Sequence, residues 1–213
     1  RRPPRCTLFP YTTLFRSPTE AYGLAHEPTP QQSIAAGVGL VFFSGDKLLG
    51  GPQSGIVVGQ TELVRRLERH PLARAVRIDK MNLAGLTATV LHYLKQEAEA
   101  EVPIWRMISA SEGGIKDRAA RWKTQLSLPG EVISGRSAVG GGSLPGETLP
   151  TWVLALSCEG DAGGPARVMR RLREANPPVV ARIEDDRVIL DPRTVMPEEE
   201  ESLLTALRDA LSR

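Results

Sequence analysis

Lys47 is the residue of this sequence best placed for covalent chemistry. It follows Ser44-Gly45-Asp46 at the end of an apolar run, Val38 to Phe43, and precedes a breaker cluster, Gly50-Gly51-Pro52-Gln53-Ser54-Gly55. A second apolar run, Ile56 to Val58, closes on Gly59. This pattern predicts a buried strand, a tight turn and a second strand. The lysine would sit where a central strand ends, among residues that allow close backbone approach. Desolvation at such a place lowers a lysine's pKa and frees its lone pair, which is what Schiff-base chemistry with a carbonyl compound requires. A lysine in a hairpin turn is otherwise an ordinary surface group, so the pattern alone leaves both readings open.

Arg74 and Arg77 come next. They lie three apart in HPLARAVRIDK, so on a helical turn they would face the same way. Two guanidinium forks on one face can chelate a phosphate-like anion. A solvated basic turn is the alternative. The remaining candidates carry little chemistry. His26, His70 and His92 have no partner spacing, and Cys6 and Cys158 give neither a disulfide framework nor metal-ligand spacing. Cys158 sits in an apolar run and reads as inert core. Gly50 to Gly55 lacks a Gly-Lys-Ser/Thr ending, and no G-x-G-x-x-G occurs, so nothing here argues for nucleotide binding. Glu198 to Glu201 follow Pro197 and read as a solvated helix start, not a metal site.

The elements that must position these residues follow in order. Thr29-Pro30-Gln31-Gln32 is a helix start. Thr61 to Arg69 predicts a short helix stopped by His70-Pro71. From Asp79, apolar residues Met81, Leu83, Leu86, Val90, Leu91 and Leu94 recur at helical spacing and predict a long amphipathic helix. Pro103 to Ile108 reads as a short apolar connector and Ser111 to Leu126 as a helix. Strands are expected over Glu131–Ser137 and Trp152–Ser157, with a glycine-rich loop, Val139 to Pro150, between them. A helix over Gly164–Ala175, a hairpin turning at Asp185-Asp186 and a last helix, Glu198–Leu211, complete the chain. That order predicts a small α+β layer, an antiparallel sheet with helices on one face.

The 213 residues suffice for one or two domains, and 41% hydrophobic with 24% charged residues is ordinary for a globular protein. No apolar run approaches the roughly 20 residues needed to cross a bilayer, and the sparse cysteines fit a reducing cytoplasm. Residues 1–17 stand apart. TLFPYTTLFRS resembles the conceptual translation of a sequencing-adapter oligonucleotide, so this leader is expected to be a non-native scar that packs poorly, leaving Phe9, Tyr11 and Phe15 outside any core. Its four arginines account for the basic pI of about 8.7. Without them, the total of 27 basic and 25 acidic residues becomes a net charge of −2, with no global attraction for nucleic acid.

FSGDKLLGGPQSGIVVG, YGLAHEPTPQQSIAAGV, HPLARAVRIDK and GGGSLPGE together resemble the bacterial selenocysteine synthase family, L-seryl-tRNA(Sec) selenium transferases, from about Tyr22 almost to the C-terminus. The resemblance implies an α/β chain, the C-terminal part of a pyridoxal-phosphate (PLP) transferase of the aspartate-aminotransferase fold (fold type I). Residues 18–102 would belong to the large cofactor domain with its linker helix, and 103–213 would form the small C-terminal domain. It implies that Lys47 carries the cofactor, that Asp46 is the acid preceding it, and that Arg74 and Arg77 bind the selenium donor, selenophosphate. The implied reaction converts seryl-tRNA(Sec) to selenocysteyl-tRNA(Sec) in a homo-oligomer, the tRNA being bound by an N-terminal domain that this sequence lacks. The chain alone is therefore expected to be inactive. Two other readings stay open: a related PLP lyase acting on a small amino acid or sugar acid, and a non-catalytic oligomerisation piece.

Overall fold

The computed structural model describes residues 19–127, 130–140, 143–158 and 163–211. The expectation about Phe9, Tyr11 and Phe15 falls outside them. The chain divides into two compact units, one of residues up to 106 with 143–144, the other of 107–140 with 145 onward.

The first unit begins with a 3-10 turn, Thr19–Tyr22, and helix α1, Pro30–Ala35. Thr29 and Gln32 cap α1 reciprocally. The Gln32 N–H donates to Thr29 Oγ1 at 3.2 Å and the Thr29 N–H to Gln32 Oε1 at 2.8 Å, so two helix-start donors that would otherwise be orphaned are satisfied. Strand β1, Leu40–Ser44, pairs antiparallel with β2, Gly55–Gly59, in the register Leu40↔Gly59 to Ser44↔Gly55. Helices α2 (Thr61–Glu68), α3 (Pro71–Ala75), α4 (Lys80–Leu94) and the short α5 (Ala98–Glu101) follow. Asp79 caps α4, accepting from the N–H groups of Met81 and Asn82 at 2.8 and 2.9 Å. These hydrogen bonds, that of Asn82 first, hold its carboxyl below the usual range.

Three expectations need correction. β1 does not lie inside a wide sheet: among the described residues its sheet has two strands, and Phe42 is 66% exposed. The apolar face expected to bury α4 also stands open, with Met81 83% exposed and Leu83 50%. Helical spacing reports that an apolar face exists, not that something covers it. The connector expected over Pro103–Ile108 is itself helical, α6 (Pro103–Ser109), and the boundary between the units falls inside it.

In the second unit, α7 (Glu112–Leu126) starts at Ser111, whose hydroxyl accepts from the Gly114 N–H at 3.2 Å. Strands β3 (Gly130–Ala138), β4 (Thr148–Ser157), β5 (Arg182–Glu184) and β6 (Arg187–Leu190) form an antiparallel sheet in the order β3-β4-β6-β5. Helix α8 (Pro165–Glu174) and the last helix, α9 (Glu200–Leu211), complete the unit. Leu154, Leu156, Val188 and Leu190 on one sheet face pack with Trp122 and Leu126 of α7, Val168 and Leu172 of α8, and Leu203 and Leu207 of α9. Each such side chain, buried fully, contributes about 1.5–3 kcal/mol. Arg193, itself buried, ties the unit together by donating to the carbonyls of Met107 (2.8 Å), Ala110 (3.0 Å) and Pro150 (2.6 Å). Beside it, the buried Asp191 carboxylate accepts from the hydroxyls of Ser137 (2.5 Å) and Thr151 (3.0 Å).

Candidate active site at the lysine turn

Lys47 lies in the turn that joins β1 to β2 and is exposed, so the desolvation expected of a lysine at the end of a central strand is not found: its sheet has two strands among the described residues. Three backbone hydrogen bonds shape this turn. The Gly50 N–H donates to the Lys47 carbonyl (2.9 Å), that of Gly51 to the Gly45 carbonyl (2.8 Å), and that of Gly45 to the Ser54 carbonyl (2.8 Å). Two glycines are required here. Gly50 has φ of +75°, and a Cβ on it would collide with Val102. At the buried Gly45 a Cβ would stand 2.8 Å from the Pro52 carbonyl oxygen and strike the Ser54 hydroxyl.

Beneath the turn lies a buried aromatic pair. The Tyr93 hydroxyl, on α4, lies 3.1 Å from the Leu48 carbonyl oxygen and 2.9 Å from that of Leu49, donating to them. The indole N–H of Trp105 on α6 donates to the same hydroxyl at 2.6 Å. Tyr22 stacks obliquely on Trp105, ring centroids 6.2 Å apart. Burial pushes the Tyr93 phenol up to about 12; burial, then the Glu99 carboxylate, does the same to Tyr22. Sequence reasoning passed over Tyr93 and Trp105. Their one signal is residue type: buried Tyr and Trp each need a partner for a polar tip.

A cavity of about 340 Å³ opens beside Lys47, with Phe42, Phe43, Ser44, Leu49, Tyr93 and Trp105 in its wall. A primary amine on a hydrogen-bonded turn beside aromatic walls fits the aldehyde and ring of pyridoxal phosphate. Among the described lining residues Lys47 is the one cation, so this wall offers the cofactor's phosphate no arginine.

Asp46, next to Lys47, is exposed in the same turn. Arg74 and Arg77 are exposed too, and neither lines the cavity. Arg74 is in α3, which ends at Ala75, while Arg77 lies beyond its C-cap, Val76. The shared helical face expected for the two arginines therefore does not exist, and their joint role rests on the resemblance. The glycine-rich loop runs from β3 to β4, closed by the Val139 N–H on the Glu147 carbonyl at 3.4 Å.

The profile of the family described as "SelA: L-seryl-tRNA selenium transferase" matches residues 17–196. An L-seryl-tRNA(Sec) selenium transferase of Moorella thermoacetica is 45% identical over 202 residues, covering 90% of this chain and 42% of that protein. One from Carboxydothermus hydrogenoformans is 43% identical over 189 residues, covering 84% and 39%. The chain thus spans about two fifths of the length of these curated relatives. Among solved structures, a D-glucosaminate-6-phosphate ammonia-lyase aligns with a TM-score of 0.53 at 20% identity, covering 84% of this chain and 45% of that one. That likeness concerns the fold, a mixed α/β part of a fold-type-I enzyme. With a lysine turn of this build and a profile match over most of its length, the chain is a member of the L-seryl-tRNA selenium transferase (SelA) family.

Proposed function

We propose that this chain takes part, in the cytoplasm, in converting L-seryl-tRNA(Sec) to L-selenocysteyl-tRNA(Sec), with pyridoxal phosphate attached at Lys47 and selenophosphate as the selenium donor. The observation that carries this reading is the exposed Lys47 amine on a turn braced from below, beside an aromatic-walled cavity, in a SelA-family chain. Pyridoxal phosphate, when bound, supplies an electron sink for a substrate's α-carbon. Lys47 would hold its aldehyde carbon and, once released, move the proton at the seryl Cα. The aromatic wall would screen that proton transfer from water. Asp46 sets a carboxylate beside the amine in the chain, as the acid that precedes the family's cofactor lysine. Arg74 and Arg77 would hold the phosphate of the donor through charge-assisted hydrogen bonds. Residues 18–102 would be part of the cofactor domain and 103–213 the small domain of a homo-oligomer. The seryl-tRNA would be bound by polypeptide corresponding to the part of the relatives outside the match.

The experiment is a hybrid of residues 18–213 with the portion of the Moorella thermoacetica relative outside the match, assayed for selenium transfer over a range of selenophosphate concentrations. Arg74→Ala and Arg77→Ala each remove a charged hydrogen-bonding partner, typically about 1.5–3 kcal/mol. That corresponds to roughly ten- to hundred-fold weaker use of the donor. Seryl-tRNA binding should be unchanged, and lysine at either position should rescue only part of the loss. Equal losses in donor use and seryl-tRNA binding, or a collapsed melting temperature, would assign both arginines to the fold.

A further inference from the structure

We propose that Tyr93 and Trp105 are positioning residues for the Lys47 amine: the Tyr93 hydroxyl, held by the Trp105 indole N–H, fixes the two carbonyls that follow Lys47 and so sets the direction in which its side chain leaves the turn. The inference rests on Lys47 being the reactive amine. A tyrosine hydroxyl has one proton to give and two lone pairs to receive. Here the proton is shared between the carbonyls of Leu48 and Leu49, at 3.1 and 2.9 Å, while a lone pair takes the Trp105 N–H at 2.6 Å. A phenylalanine would fill the same space. Burying the hydroxyl costs free energy unless it is bonded, and the carbonyls it serves are those of the lysine turn, 44 and 45 residues away in sequence.

The geometry also separates bracing from general packing. Tyr93 and Trp105 are 7% and 4% exposed. Both reach the turn from helices that follow it in the chain, so the turn is fixed by tertiary contact as well as by its own hydrogen bonds. Lysine is a flexible side chain that loses rotamer entropy when held in one geometry. A backbone that already points the stem toward the cavity leaves only that side-chain entropy to be lost on reaction. A turn free to rock would lower the share of molecules with the amine in line with an aldehyde in the cavity.

The test uses the full chain with pyridoxal phosphate itself as probe. The Lys47 amine adds to the aldehyde carbon and water leaves. Borohydride then delivers hydride to the resulting C=N bond, giving a stable secondary amine. After digestion, the label on Lys47 is compared by mass spectrometry with that on the exposed Lys80, Lys95 and Lys123. Wild type is expected to label preferentially at Lys47. Tyr93→Phe should lower the Lys47 label about five- to tenfold, the worth of one buried hydrogen bond, with the reference lysines unchanged. Trp105→Phe, which keeps an aromatic ring but removes the N–H, should lower it by a smaller factor. A purely structural role would lower the melting temperature of both variants and leave the Lys47 preference intact, which overturns the inference while the Lys47 reading stands. Absence of a Lys47 preference in wild type overturns the reading itself. If Tyr93→Phe loses its helical circular dichroism, Trp105→Phe decides, and a Lys47 label within twofold of wild type then overturns the inference.

Discussion

The Tyr93 phenol titrates above its ordinary range. Its ordinary value is near 10, and burial raises it to about 12 in the folded chain. The unfolded chain therefore gives up this proton first. The group's contribution to stability is complete below about pH 10 and is lost as pH rises from 10 to 12. That gap is worth roughly 3 kcal/mol, at 1.36 kcal/mol for each pH unit. Ultraviolet titration of wild type minus Tyr93→Phe should show one phenol ionising near pH 12, and the variant should lose less stability than wild type over that range. A difference spectrum ionising near pH 10 would show Tyr93 in contact with water. At this scale the sequence was partly legible. Lys47 is marked by its glycine-rich surroundings, because a tight turn needs residues that can make it. Tyr93 carries no such mark, because its partners are backbone carbonyls 44 and 45 residues away, and periodicity cannot show long-range hydrogen bonds.

The β1–β2 hairpin isolates the effect of the turn from that of the side chains in it. Gly45→Ala places a Cβ 2.8 Å from the Pro52 carbonyl oxygen, so the backbone carrying Lys47 must shift. Gly55→Ala, across the turn where β2 begins, meets no atom within 4 Å. Gly45→Ala should destabilise by about 1–3 kcal/mol, as overpacking does, and should reduce Lys47 labelling. Gly55→Ala should leave both within about 0.5 kcal/mol and twofold. Equal effects from the two, measured by urea melts and labelling together, would mean the turn tolerates movement. Helix starts were legible at Thr29, Asp79 and Ser111, since capping is local chemistry within three residues. Elements defined by their neighbours were not. α3 ends at Ala75 before reaching Arg77, and Pro103–Ile108 reads as a connector in isolation yet lies within a helix.

Over the whole molecule the two units are stabilised unequally. The second has a closed core, with Trp122, Leu154, Val168, Leu172, Val188 and Leu207 all at 0% exposure. The first leaves Phe42, Val76 and Met81 open, at 66, 80 and 83%. Hydrogen exchange should therefore be slower in β4, β6 and α9 than in β1 and β2, by about two orders of magnitude or more, since opening free energies follow buried apolar contact. Uniform protection would contradict this inequality. The antiparallel sheet of the second unit was legible because its strands are short runs bounded by turn residues that carry their own signals. The openness of the first unit was not, because an apolar stripe looks the same in sequence whether or not it is covered.

Single-turnover selenium transfer in the Moorella thermoacetica hybrid, comparing wild type with Lys47→Ala and Lys47→Arg, tests the central claim most directly. If Lys47 holds the cofactor and moves the α-proton, Lys47→Ala removes both tasks and the rate should fall about a thousandfold or more. Lys47→Arg, which keeps the charge but has no amine to react, should do no better. Transfer by Lys47→Ala within tenfold of wild type would contradict the account.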